Sequence, residues 1–294
     1  MKERDYLLKI MDVGNNVRLY LARTTSLVEE AHRRHETSAP ASAALGRLMT
    51  AALMMASDLK GEADILTLRI EGNGPAGVVL ATADSQGGVR GLISNPFADL
   101  PSTTPGKLAV GELVGADGYL EVIKDLGLKQ PFSGRVPLVS GEIAEDVAHY
   151  YLVSEQIPSL ISLGVMVSPD LSVKAAGGLF VQAMPEASDK VLEQIENNVL
   201  ALGSLSSLLD KYDLLEDVVP LIMQGIEYTI IAEQDLYFRC NCSRERLGNV
   251  LANLSEAERG DDTNPEGIEV VCNFCNEKYL YTPQEIEALK KSKP

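Results

Sequence analysis

Ile65-Leu66-Thr67-Leu68-Arg69-Ile70-Glu71-Gly72-Asn73-Gly74-Pro75-Ala76-Gly77-Val78-Val79-Leu80 places the spacing Gly72-x-Gly74-x-x-Gly77 directly after a strand-like run. A dinucleotide site with this spacing needs a helix to open at the last glycine. Here Val78-Val79-Leu80 reads as a second strand, and Pro75 suits a turn. No Walker-type lysine pattern accompanies the glycines. The choice separates a parallel, helix-connected sheet from an antiparallel one, and the residues favour a hairpin.

The same pattern continues on both sides. Downstream, strand signals recur at Gly77–Asp84, Gly88–Ile93 and Gly118–Ile123, and again at Val165–Val167 and Val173–Val181. Upstream, Leu7–Met11 and Val17–Leu21 flank a Gly14-Asn15-Asn16 turn. Between them a helix is expected from Ser38 and Pro40 through Leu45, Leu48, Ala52 and Met55, stopping near Gly61. Met49, Met54 and Met55 fit core packing on that helix better than an adaptable binding surface. A second helix is expected over Glu142–Glu155.

Beyond Pro185 the chain turns helical and acidic. Val191, Ile195, Val199 and Leu200 share a face of a helix beginning at Ser188. Leu205, Leu208 and Leu209, then Val218, Leu221, Ile222 and Ile226, mark further short helices, interrupted at Gly203, Tyr212-Asp213 and Pro220. Residues 186–233 hold ten acidic and two basic side chains, so they carry half of the chain's net charge of −16. Helices with stripes rather than all-round apolar surfaces must dock on something to be stable.

The last segment is a small unit. Ser243 is placed to cap a helix containing Leu247, Val250, Leu251 and Leu254, and Gly260–Pro265 reads as a loop. Ile268–Val271 and Lys278–Tyr281 form two strands around a Cys-containing turn, and Thr282-Pro283-Gln284-Glu285 is a capping box. All four cysteines lie here: Cys240-Asn241-Cys242, then 29 residues, then Cys272-Asn273-Phe274-Cys275. Two cysteine pairs on separate turns suit tetrahedral zinc bound by four thiolates, and no histidine competes nearby, since His32, His35 and His149 are distant in sequence. One zinc per reduced chain is expected on Cys240, Cys242, Cys272 and Cys275. The expected fold class is α+β. A mixed α/β core with antiparallel sheets covers 1–185, an acidic helical linker 186–233, and a small C-terminal zinc-binding domain 234–294.

Cys-x-Cys followed by Cys-x-x-Cys near the C-terminus resembles the bacterial redox-regulated heat-shock chaperones, the 33 kDa chaperonin family. Gly141-Glu142-Ile143-Ala144-Glu145-Asp146, Ser154-Glu155-Gln156-Ile157-Pro158, and Ala175-Ala176-Gly177-Gly178 with Gln182 and Pro185 are similar to segments of that family. The resemblance implies an ATP-independent holdase that is inactive when reduced and zinc-bound. Oxidation would pair Cys240 with Cys242 and Cys272 with Cys275, release zinc and unfold the C-terminal domain and linker. It implies partly unfolded client proteins as partners, dimerisation on activation, and a role in the stress response. Extended residues i and i+2 lie about 6.6 Å apart, near the long limit for a disulfide, so Cys272–Cys275, across a turn, is expected to close first.

Composition excludes other classes. A net charge of −16 disfavours nucleic acid and anionic membrane surfaces. No apolar run approaches the ~20 residues of a bilayer span, and the charged N-terminus lacks a signal-peptide pattern, so a cytosolic protein is expected. A zinc-ribbon binding module is an alternative, weakened by the charge. A thiol–disulfide oxidoreductase is another, but it wants its CxxC at a helix N-terminus. No enzyme is expected: Asp146 or Glu145 with His149 on one helix face reads as a surface ion pair rather than a catalytic or metal pair.

Overall fold

Residues 4–102, 104, 106–255 and 267–291 are described by the computed structural model, and the chain divides into two units, Met1–Arg239 and Cys240–Pro294. The first unit begins β1 (Tyr6–Asp12), β2 (Val17–Arg23), α1 (Thr25–His35), α2 (Ala39–Ala56), β3 (Ile65–Glu71), β4 (Val78–Asp84) and β5 (Gly88–Ile93). It continues with α3 (Val110–Val114), β6 (Tyr119–Asp125), β7 (Phe132–Pro137), and α4 (Ala144–Tyr150) prolonged by a π-helical turn (Tyr151–Glu155). It ends with β8 (Ser159–Val167), β9 (Val173–Ala183), α5 (Asp189–Leu202), α6 (Leu205–Lys211), α7 (Leu215–Ile222), β10 (Tyr228–Asp235) and β11 (Tyr237–Phe238). The second unit holds α8 (Arg244–Asn253), β12 (Ile268–Val271), β13 (Lys278–Tyr281) and α9 (Pro283–Lys291). The expected loop Gly260–Pro265 lies outside the described residues.

Two sheets build the first unit, with strand orders β10-β1-β2-β9-β8 and β11-β5-β4-β3-β6-β7. Pairing is antiparallel except for the two-residue parallel contact of β11 with β5. Gly72–Gly77 is the hairpin loop between β3 and β4, with Glu71 opposite Val78. Gly74 N and Ala76 N donate to the carbonyls of Val114 and Leu113, both at 2.9 Å. A Cβ on Gly72 or Gly74 would stand 2.2 or 2.3 Å from carbonyl oxygens there. The glycines admit the end of α3, not a phosphate.

Ser38 Oγ accepts from Ala41 N and starts α2, with Pro40 in the first turn. This helix is buried almost all round, as a helix apolar on every side must be. It lies between the two sheets in one core that takes Tyr20, Ala22, Ala176 and Phe180 from the first sheet and Leu66, Leu68, Ile70, Val79 and Ala81 from the second. Met49, Met54 and Met55 are part of it. By length and hydropathy α2 could cross a membrane, but 89% of it is buried inside this unit.

The five-stranded sheet has a second apolar face. Side chains alternate along a strand, so Leu8, Ile10, Val17, Leu19, Leu21, Leu179 and Val181 point away from α2 and pack with Ile195, Leu205, Leu209, Leu215, Val218, Val219 and Ile222 of α5–α7. The acidic stretch of 186–233 therefore docks on the sheet. Neighbouring glycines on β9 serve the two faces. A Cβ on Gly177 would meet Leu209 at 2.4 Å, whereas one on Gly178 would meet Met54 and Thr50 at 2.7 and 2.8 Å. Gly164, opposite Gly177 on β8, leaves space for Ser206 in the same way.

Arg23 holds this docking from below. It has the parity of Leu19 and Leu21, is 1% exposed, and donates from Nη1 to Leu209 O at 2.9 Å and from Nη2 to Tyr212 O. These carbonyls end α6, where a cation is favoured. Tyr6 ties α7 in turn: its hydroxyl donates to Glu216 and accepts from Leu215 N, both at 2.7 Å.

Three details depart from the sequence reading. Leu200 is 77% exposed; the buried stripe of α5 runs through Val191, Leu192, Ile195, Val199 and Leu202, because position i+5 from Ile195 turns about 140° away at 3.6 residues per turn. The helix expected over Glu142–Glu155 starts only at Ala144, after Ile143 takes a positive φ of 74°, and finishes as the π-helical turn. Tyr228–Glu233, within the stretch read as helical, belongs to strand β10, paired with β1.

Candidate metal centre

Each cysteine pair is set by a local device. Ser243 Oγ accepts from Arg246 N at 3.1 Å and caps α8, fixing the chain directly after Cys242. Cys272 and Cys275 sit on the turn between β12 and β13, where Val271 pairs with Lys278. Cys275 N and Asn276 N donate back to Cys272 O at 3.2 and 2.8 Å, and Asn276 takes the left-handed conformation at φ 55°.

The four sulfurs converge, all within 4.8 Å of one another. Cys240 Sγ lies 3.7 Å from Cys272 Sγ, and Cys242 Sγ lies 3.4 Å from Cys275 Sγ. A tetrahedral site with metal–sulfur bonds of about 2.3 Å has sulfurs about 3.8 Å apart. The cage thus fits one four-thiolate metal, whereas a disulfide needs about 2.05 Å. No disulfide joins any of the four cysteines.

Burial pushes the Cys240 and Cys275 thiols up from their ordinary range. At Cys242 burial acts in the same sense but is outweighed by hydrogen bonds from the Tyr279 hydroxyl and the neighbouring thiols, so that thiol falls below its ordinary range. Tyr279 was not legible as a site residue; its hydroxyl lies 3.5 Å from Cys242 Sγ, and the only sequence signal is its position four residues after Cys275.

The frame around the cage is small. Leu251, Tyr281 and Ile286 are the buried members of its apolar cluster among the described residues. Tyr281 OH donates to Arg244 O at 2.6 Å, and Arg244 pairs with Glu285 at 2.7 Å. The capping box at α9 is reciprocal, Thr282 N donating to Glu285 Oε2 at 2.8 Å and Glu285 N to Thr282 Oγ1 at 3.3 Å. The Thr282 backbone bond, then Arg244, holds the Glu285 carboxyl down at about 2.

Asp146 is not half of the surface ion pair expected with His149: it is fully buried, and its bonds go to main-chain N–H groups. It accepts from Val139 N at 2.7 Å, Ser140 N at 3.1 Å, Gly141 N at 3.4 Å and Ile143 N at 2.9 Å, closing the loop before α4. Asp146→Asn removes the charge from these bonds. It is expected to lower the unfolding free energy of the first unit by about 1–3 kcal/mol, read by urea denaturation, with thiol chemistry unchanged.

The Hsp33 protein family matches residues 5–282. A 33 kDa chaperonin from Desulforamulus reducens is 47% identical, with 98% of each chain covered. One from Oceanobacillus iheyensis is 42% identical over 98% of this chain and 100% of its own. The crystal structure of a Thermotoga maritima 33 kDa chaperonin, titled a heat shock protein 33 homolog, superposes with a TM-score of 0.90 at 39% identity, covering 98% of both chains. A match of this extent in sequence, over a fold of two antiparallel sheets about one buried helix and a four-cysteine unit, assigns the chain to the Hsp33 family.

Proposed function

We propose that the protein is a redox-switched, ATP-independent holdase of the cytosol, inactive while reduced and zinc-bound. The observation that carries this reading is the convergence of four thiols within 4.8 Å in a unit with so small an apolar cluster. When bound, zinc cross-links the two cysteine motifs and supplies folding free energy of about 10–16 kcal/mol. Cys240, Cys242, Cys272 and Cys275 would be its ligands. Oxidation pairs Cys272 with Cys275 and Cys240 with Cys242. Each pair of thiols loses two electrons and two protons to a peroxide, which leaves as two waters. The contacts of Cys240 with Cys272 and of Cys242 with Cys275 run between the motifs, so pairing within the motifs dismantles the cage.

Loss of the cage unfolds the second unit, and the docked stretch 186–233, next to it in sequence, loosens. Its release exposes the sheet face of Leu8, Ile10, Leu19, Leu21, Leu179 and Val181. An apolar patch of this kind holds partly unfolded clients, and the stretch's own charge keeps the open form soluble. Dimerisation accompanies activation in this reading.

Suppression of aggregation of an unfolding protein tests it, reduced against oxidised, with zinc release followed in parallel. The expected result is one zinc per reduced chain, little suppression when reduced, and strong suppression after oxidation in step with zinc loss. Equal suppression in both states, or none or two zincs per reduced chain, overturns it.

A further inference from the structure

Tyr279 stands on β13, in the hairpin that carries Cys272 and Cys275. Its hydroxyl nevertheless reaches a sulfur of the other pair, Cys242, at 3.5 Å. We infer that Tyr279 is a positioning residue that sets the order of oxidation, holding Cys242 by an O–H···S bond so that the Cys240–Cys242 disulfide forms late. This rests on the redox-switch reading and deepens it.

The argument is one of charge and geometry. A thiolate attacks peroxide with a sulfur lone pair. A hydroxyl that donates to that sulfur withdraws charge from it and occupies one direction of approach, as second-sphere donors do at metal-bound ligands. The same bond also fixes the Cys242 side chain against the hairpin, while closure with Cys240 needs it to swing away. Cys242 Sγ also lies 3.4 Å from Cys275 Sγ, so Tyr279 and Cys275 hold this sulfur from one hairpin. At the Cys272–Cys275 turn, backbone bonds from Cys275 N and Asn276 N to Cys272 O already fold the two residues toward each other. The reaction is Cys242 thiolate with peroxide and a proton to a sulfenic acid and water, then displacement of that hydroxyl as a second water by Cys240.

Zinc-loaded, reduced full-length protein and its Tyr279→Phe variant are exposed to limiting peroxide, quenched by alkylation and mapped by peptide mass. In the unaltered protein Cys272–Cys275 is expected to accumulate first. In the variant the Cys240–Cys242 disulfide is expected to form about five-fold faster, the effect of one typical hydrogen bond. With cobalt in place of zinc, the sulfur-to-metal charge-transfer band is expected to shift in the variant, with metal stoichiometry and hydrogen exchange of α8, β12 and β13 unchanged. An unaltered Cys240–Cys242 rate, an unshifted band, or a rise in exchange throughout the unit overturns the assignment. Normal disulfides with an unchanged order in the variant sink this inference alone, whereas failure of both proteins to form either disulfide sinks the redox-switch reading with it.

Discussion

Stripping the metal from the reduced protein, or replacing Cys272 by serine, is expected to unfold Cys240–Pro294 and leave Met1–Arg239 with its two-sheet core. Among the described residues of the second unit few side chains are buried: Leu251, Ala252, Tyr281 and Ile286, with Cys272 and Cys275. Domains of roughly 60 residues are marginal without a cross-link. Four-thiolate zinc contributes about 10–16 kcal/mol, against a whole-domain stability of about 5–15 kcal/mol. The Cys272→Ser change leaves three thiolates and a hydroxyl that is a poor zinc ligand. Hydrogen exchange reads the result: amides of α8, β12 and β13 are expected to exchange at unprotected rates, while α2 and β3–β4 stay protected. Retained protection of β12–β13 after chelation would refute this account of the unit's stability.

Replacing Arg23 by methionine is expected to loosen the docked stretch without touching the metal. Two main-chain carbonyls at the end of α6 accept from the buried guanidinium. Methionine fills similar volume but leaves both carbonyls without that donor. An unmade buried hydrogen bond, as at Leu209 O, costs about 1–3 kcal/mol and the part-buried one at Tyr212 O about 1 kcal/mol, so the pair amounts to about 2–4 kcal/mol of docking. That is roughly a 30- to 1000-fold rise in the exchange of α6 and α7. Reduced, zinc-loaded protein with this change is expected to suppress aggregation without oxidant. Zinc content equal to that of the unaltered protein separates this route from unfolding of the second unit. Full protection of α6 would show that Arg23 does not clamp the docked stretch, and loosening with no gain in suppression would show that this face is not where clients bind.

Much of this architecture was written locally. The Ser38 cap, Pro40 and an apolar surface on every side specify α2 before any partner is known. Val78-Val79 after Gly77 decides for a hairpin over a nucleotide turn. Cysteine spacing alone brought four sulfurs to one point. What escaped was set by tertiary contacts. Arg23 lies two residues past the strand expected to end at Leu21, and only the docking of α6 turns it into a buried clamp. Tyr228-Thr229-Ile230-Ile231-Ala232 carries a β-branched run, but it sits among acidic helical stripes, and pairing with β1 makes it a strand. α1 and β7 left no clear periodicity: α1 is charged along much of its length, and most of β7 is solvent-exposed. The exposure of Leu200 shows how a single residue can mislead a stripe five positions long.

The connection from β9 to β10 spans residues 184–227, and both strands are hydrogen-bonded into the same sheet, β9 to β2 and β10 to β1. As long as β10 stays paired, the covering helices can leave the sheet only as a closed loop. A loop held at both ends samples its own binding face at a local concentration on the order of millimolar. The face is thus never simply vacant. On the proposed reading, a client would have to outcompete an intramolecular ligand, which would select polypeptides presenting many weak apolar contacts at once over those with a single good one. Letting go would then need no input of chemical energy, because a client that folds and buries its apolar surface would lose that contest to the returning loop.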